Sequence, residues 1–93
     1  MLSGVIGGRR SAAEIVLEIL TLCQIGNIGK TAIMYRCNLS YEQLSRYLAN
    51  LSAQGLIVKD PSGRYQLTSE GHTVFAQLTE AVRILQELQS INQ

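Results

Sequence analysis

Pro61 is the only proline in the chain, and its neighbours leave it one role. It stands in Asp60-Pro61-Ser62-Gly63, with proline second and glycine fourth, the order a type I turn favours. Leu56 to Lys59 before it is a short apolar run, and Arg64 to Leu67 after it returns at the same length. Two short β-prone runs around a turn predict a hairpin. The other segments carry helical spacing, so any fold for this chain must seat one small hairpin among helices.

The segment just before the hairpin predicts the clearest helix. Ser40 with Gln43 three residues later reads as a capping box. Tyr41, Leu44, Leu48 and Leu51 form one apolar stripe with Tyr47 beside it, Leu48 at its buried centre, and Gly55 sits where a C-terminal cap belongs. Upstream, Lys30 to Arg36 makes a short helix with Ala32, Ile33 and Met34 available for burial. Cys37-Asn38-Leu39 makes a turn, because asparagine tolerates the left-handed conformation. Further upstream, Ala12 to Cys23 is a helix capped by Ser11 and Glu14, with Ile15, Val16, Ile19, Leu20 and Cys23 at helical spacing. Gly26 and Gly29 punctuate the loop between them. After the hairpin, Thr68 caps a helix from Ser69 to about Ile91, roughly 34 Å long at 1.5 Å per residue. Residues 1–10 hold three glycines and no periodicity, and read as a loose arm.

Ninety-three residues with 46% apolar content suit one small domain. The net charge is +1, but it is unevenly spread. Between residues 30 and 64, Lys30, Arg36, Arg46, Lys59 and Arg64 stand against Glu42 and Asp60, while the last 29 residues are acidic. A polyanion surface, if there is one, lies in the middle. No run suits a membrane span or a signal peptide, which leads us to expect a cytoplasmic protein. Cys23 and Cys37 are too far apart for a metal-type pair, and His72 is the only histidine, so no metal site and no cofactor are expected. The two cysteines suit half-buried free thiols, with a disulfide or a redox pair as the alternative. Gly29-Lys30-Thr31 looks like the end of a nucleotide-binding loop, but Gln24 stands where that loop needs its first glycine.

Helix, short helix, three-residue turn, capped helix, hairpin, helix is the order of a winged helix-turn-helix. The fold class expected is therefore α+β, mostly α: three helices, a two-stranded wing, and a long C-terminal helix. Residues 1–10 are the arm, 11–68 the DNA-binding domain and 69–93 a dimerisation helix. In such a fold the third helix projects one face toward a major groove. Gln43, Arg46 and Asn50 lie three and four residues apart on that face, with Ser40 and Ser45 beside them, and these are the expected base contacts. Lys30 and Thr31 at the start of the second helix, with Lys59, Ser62 and Arg64 on the wing, are the expected backbone contacts.

Several motifs also resemble a known family. They are Ile33-Met34-Tyr35, Asn38-Leu39-Ser40-Tyr41, Gln43, Tyr47-Leu48, Leu51, Gly55-Leu56-Ile57, Tyr65, Leu67-Thr68 and Gly71. Together they resemble the archaeal winged helix-turn-helix family that includes small crenarchaeal chromatin-associated DNA-binding proteins, over about residues 12 to 75. The resemblance implies double-stranded DNA as a partner and a homodimer through the last helix. On that helix Val74, Leu78, Ala81, Leu85, Leu88 and Asn92 keep a heptad spacing, with Phe75, Val82, Ile84 and Ile91 widening the apolar face. Its N-terminal half, with Phe75 and Leu78, can cover the first helix, while Leu85, Leu88 and Ile91 project past the core toward a partner. The modest charge favours a sequence-specific, nucleoid-associated regulator of transcription over a nonspecific chromatin protein. No set of residues assembles a catalytic site, so an enzyme is not expected. The alternative is a winged helix that holds another protein.

Overall fold

A computed structural model describes residues 10–91. The expected arm up to Arg9, the side chain of Ile91, and Asn92 lie outside the described residues. The chain runs α1 (Ala12–Ile25), β1 (Ile28–Gly29), α2 (Lys30–Cys37), α3 (Tyr41–Ala53), β2 (Ile57–Lys59), β3 (Arg64–Leu67) and α4 (Ser69–Ile91). This is a winged helix with a long C-terminal helix.

The local signals close as their chemistry requires. Ser11 and Glu14 form a full capping box on α1, and Ser40 and Gln43 form one on α3. Asn38 is left-handed at φ +55°, and the Asn38 and Leu39 amides return to the Tyr35 and Met34 carbonyls. Gly55, at φ +75°, ends α3 in the same way. Its amide and that of Leu56 bond the Ser52 and Leu51 carbonyls, a Schellman closure. With two such closures, the turn before α3 and the exit into the wing are set by the backbone itself.

The core draws on every helix of the domain and on the sheet. Ile19, Leu20 and Cys23 come from α1, Ile33 and Cys37 from α2, and Leu44, Leu48 and Leu51 from α3. Leu39, Ile57, Tyr65 and Leu67 complete it. Leu48 is buried as expected. Val74, Phe75 and Leu78 of α4 pack onto this cluster.

Four expectations need correction. The sheet has three strands, in the order β1-β3-β2, where a two-stranded wing was expected. Ile28 and Gly29, read as loop, pair antiparallel with Tyr65 and Arg64, so β1 covers the edge that β3 would otherwise leave open. Tyr41, placed in the buried stripe, is 64% exposed, with its ring against the Lys30 ammonium at the start of α2. The last helix gives more of its apolar face to the chain's own fold than expected: Phe75 and Leu78 pack on the core as foreseen, but Val74 joins them and Val82 is buried too. Among the described residues of its outer half, Ala81, Ile84, Leu85 and Leu88 remain outward.

The cysteines are the fourth case. Cys23 and Cys37 are both free and fully buried, where half-buried thiols were expected. Burial pushes each thiol up to about 11, with the neighbouring Cys37 adding to the effect on Cys23 and Glu18 to that on Cys37. The raised values keep both as neutral thiols at any pH below about 9, and the thiolate is the reactive form. Both should therefore resist a thiol reagent in the native protein and react only on unfolding. A stopped-flow trace with an aromatic disulfide reagent, with and without denaturant, checks this.

Candidate nucleic-acid interface

The outward side of α3 carries Glu42, Gln43, Arg46, Ala49 and Asn50, all exposed. Leu44, Leu48 and Leu51 hold the opposite side in the core. Arg46 and Asn50 lie four residues apart, one turn of helix, and neither side chain has a hydrogen-bond partner among the described residues. Both are free to reach outward. A guanidinium suits guanine O6 and N7, and a carboxamide suits adenine N6 and N7.

Ser40 and Gln43 are less free. The Ser40 hydroxyl accepts from the Gln43 amide at 3.1 Å, and the Gln43 Oε1 accepts from the Ser40 amide at 3.0 Å. Gln43 keeps only its NH₂ for a base, so a two-point contact with adenine would require opening the cap. Ser45 is half-buried and accepts from Lys30 Nζ at 2.7 Å.

The start of α2 lies beside the start of α3. Gly29 caps α2 without a side-chain hydrogen bond, which leaves its first amides open. Lys30 is the first residue and exposed Thr31 the second. The Lys30 ammonium sits 3.8 Å from the centroid of the Tyr41 ring.

On the wing, Asp60 organises the turn. Its carboxylate accepts from the Ser62 amide at 2.9 Å, the Ser62 hydroxyl at 2.6 Å and the Arg64 amide at 3.0 Å. The Ser62 hydroxyl bond comes first among the causes that hold the Asp60 carboxyl below its ordinary value. Ser62 therefore spends its only hydroxyl proton inward. Phosphate oxygens accept and do not donate, so Ser62 is poorly placed as the backbone contact expected of it. The spacing Asp60-x-Ser62 carried that signal, since an aspartate bonds the backbone two residues on. Arg64 gives one arm to the Asn27 carbonyl at 3.0 Å and keeps the rest of its fork. Lys59 is exposed and unpartnered among the described residues.

The only histidine, His72, is exposed in the first turn of α4. Among the described residues no group of three His, Cys, Asp or Glu side chains is placed to hold a metal. Nor is any described helix long and apolar enough to cross a membrane.

Known proteins share this arrangement. Sso10a-2, a DNA-binding protein from Sulfolobus solfataricus, superimposes with a TM-score of 0.77 at 26% identity, over 89% of this chain and 90% of that one. The MarR family transcriptional regulator SPO1453 from Silicibacter pomeroyi shares the fold, with a TM-score of 0.65 at 18% identity, over 94% of this chain and 63% of that one. In sequence, the uncharacterized protein MJ0287 of Methanocaldococcus jannaschii is 34% identical over 77 residues, which is 83% of this chain and 78% of the relative. The family model described as winged helix-turn-helix matches residues 9–88, nearly the whole described structure, and the chain belongs to that family.

Proposed function

We propose that the protein binds double-stranded DNA sequence-specifically, as a homodimeric, non-enzymatic regulator of transcription. The observation that carries this reading is the outward face of α3, where Arg46 and Asn50 stand free of any partner among the described residues. The likeness to a DNA-binding protein supports it. In this reading α3 enters the major groove, with Arg46 and Asn50 on base edges and the Gln43 NH₂ as a further donor. Lys30 and Thr31 of α2, with Lys59 and Arg64 of the wing, grip the backbone. A net charge of +1 gives little general attraction to a polyanion, so base contacts must supply much of the affinity. That favours a site-specific regulator over a chromatin coat. Such a protein works in the cytoplasm, on the nucleoid.

A second copy would cover the outward part of α4. Ile84, Leu85 and Leu88 are each about half exposed on one side of it, beyond the contact with the core. Two-fold pairing there would aim two α3 helices at successive major grooves, about one helical turn apart, on a palindromic site.

Selection from a random duplex library, followed by titration at several salt concentrations, tests the reading. Affinity should fall steeply with salt. Arg46→Ala should weaken the selected site by about 1–3 kcal/mol and relax preference at one or two base pairs. Full affinity in Arg46→Ala would remove α3 as the reading element. A salt-independent interaction with a protein, and none with DNA, would favour the interaction-module alternative.

A further inference from the structure

Tyr41 is a large aromatic residue left in solvent at the first position of α3. Its neighbour across the helix-turn-helix is Lys30, the first residue of α2. The Lys30 Nζ lies 3.8 Å from the Tyr41 ring centroid and donates to Ser45 Oγ at 2.7 Å. Tyr41 and Ser45 are one turn apart on α3, so ring and hydroxyl approach the same ammonium from one side. Lys30 is half-buried, and no carboxylate pairs with it among the described residues.

An ammonium has three hydrogens to donate. One goes to Ser45, the ring face attracts the charge, and these two contacts leave donor capacity for a further acceptor. The charge is thus fixed in place without being neutralised. The open amides at the start of α2 add to the local positive potential. A lysine that grips a phosphate normally gives up side-chain freedom as it does so. Lys30 has given up much of it on folding.

We infer that Tyr41 and Ser45 are positioning residues for the Lys30 ammonium, which they hold at the junction of α2 and α3 as a preset contact for a DNA phosphate. The inference rests on the DNA-binding reading above. It moves Ser45 from base contact to support, and it accounts for a tyrosine that the core does not use.

The test needs Tyr41→Leu, Tyr41→Phe, Ser45→Ala, Lys30→Ala and the double variant Lys30→Ala with Tyr41→Leu. In the DNA-free protein, the ε-protons of Lys30 should show an upfield ring-current shift by NMR. Tyr41→Phe should keep that shift and Tyr41→Leu should lose it. On DNA, Tyr41→Leu should weaken binding roughly two- to fivefold on every duplex, the range a partly exposed cation–π contact supports. Ser45→Ala should act in the same direction, and Tyr41→Phe should stay near wild type. Lys30→Ala should lower the salt slope by about one, and adding Tyr41→Leu to it should cost nothing more. If Tyr41→Leu is equally harmful without Lys30, the ring touches DNA itself and the positioning role is overturned. A chain that binds duplex but shows no ring-current shift also overturns it, and leaves the DNA reading intact. A wild-type chain that binds no duplex overturns the function and the phosphate role together, even if the shift is present.

Discussion

Gly71→Ala is expected to unfold much of the protein, although alanine is the better helix former. In an exposed helix the change would stabilise by up to about 1 kcal/mol. Here the added Cβ would lie 1.9 Å from the Leu56 carbonyl oxygen, 3.0 Å from its carbon and 3.3 Å from Leu67 Cβ. The first obstacle is backbone and cannot swing aside. It is also tied down: the Leu56 carbonyl accepts from the Thr68 amide at 3.0 Å. Thr68 in turn donates its hydroxyl to the Gly55 carbonyl and accepts from the Gly71 amide at 2.9 Å. Relief therefore means moving the start of α4 off the exit of α3 and loosening this whole knot. Overpacking costs about 1–3 kcal/mol where side chains can adjust, so a backbone clash should cost at least about 3. That is a large share of the roughly 5–15 kcal/mol available to a domain. Gly29→Ala is the control. Gly29 has no neighbour within 4 Å of an added Cβ and an ordinary φ of −88°, so it should cost less than about 1 kcal/mol, as a capping change. Thermal melts of both variants decide the matter: equal melting temperatures would mean that α4 does not dock on Leu56 this closely.

The second large effect concerns assembly. Leu85→Glu together with Leu88→Glu should convert a dimer of about 20 kDa, twice the 10.2 kDa chain, into a monomer. Both leucines are 54% exposed in the single chain, so the substitutions leave its core intact and the far-UV spectrum should not change. In the proposed dimer the partner's helix would cover this face. Covering a large apolar side chain stabilises by about 1.5–3 kcal/mol, and four leucines per dimer make the loss large, before any cost of bringing glutamates together. The Arg83 guanidinium already pairs with Glu80 and with Glu87 on its own helix, and it would do little to offset the new charge. Sedimentation at micromolar concentration reads the result. A wild-type chain already at 10 kDa would rule out the dimer. DNA affinity of the double variant should fall with the loss of the second α3.

These two predictions differ in what made them visible. The apolar residues of α4 were plain in the sequence at heptad spacing, but spacing cannot say which surface each one covers. Leu78 was expected to cover α1 while Leu85 and Leu88 project past it, and the fold adds Val74 and Val82 to the covered part. Gly71 stood out in the sequence only through a family resemblance. Its reason, a carbonyl from residue 56, belongs to another element.

The candidate site divides in the same way. Arg46 and Asn50 were readable because helical periodicity alone puts them opposite Leu44, Leu48 and Leu51. Ser40 and Gln43 were readable as a cap, but their bonding also limits them as base contacts. Lys30, Tyr41 and Ser45 were each visible, yet only the packing of α2 against α3 brings them to one point.

What the sequence by itself determined was the order of elements, the two capping boxes, the left-handed Asn38, the Gly55 closure and the second wing strand. Each is settled by bonds between residues a few positions apart, or by a periodicity that repeats every turn. What only the tertiary structure decided was the pairing of Ile28 and Gly29 with Tyr65 and Arg64, the exposure of Tyr41, the full burial of both thiols and the burial of Val82. Each of these depends on atoms tens of residues apart. No short-range propensity records such contacts, because their energy exists only once the chain has closed around them.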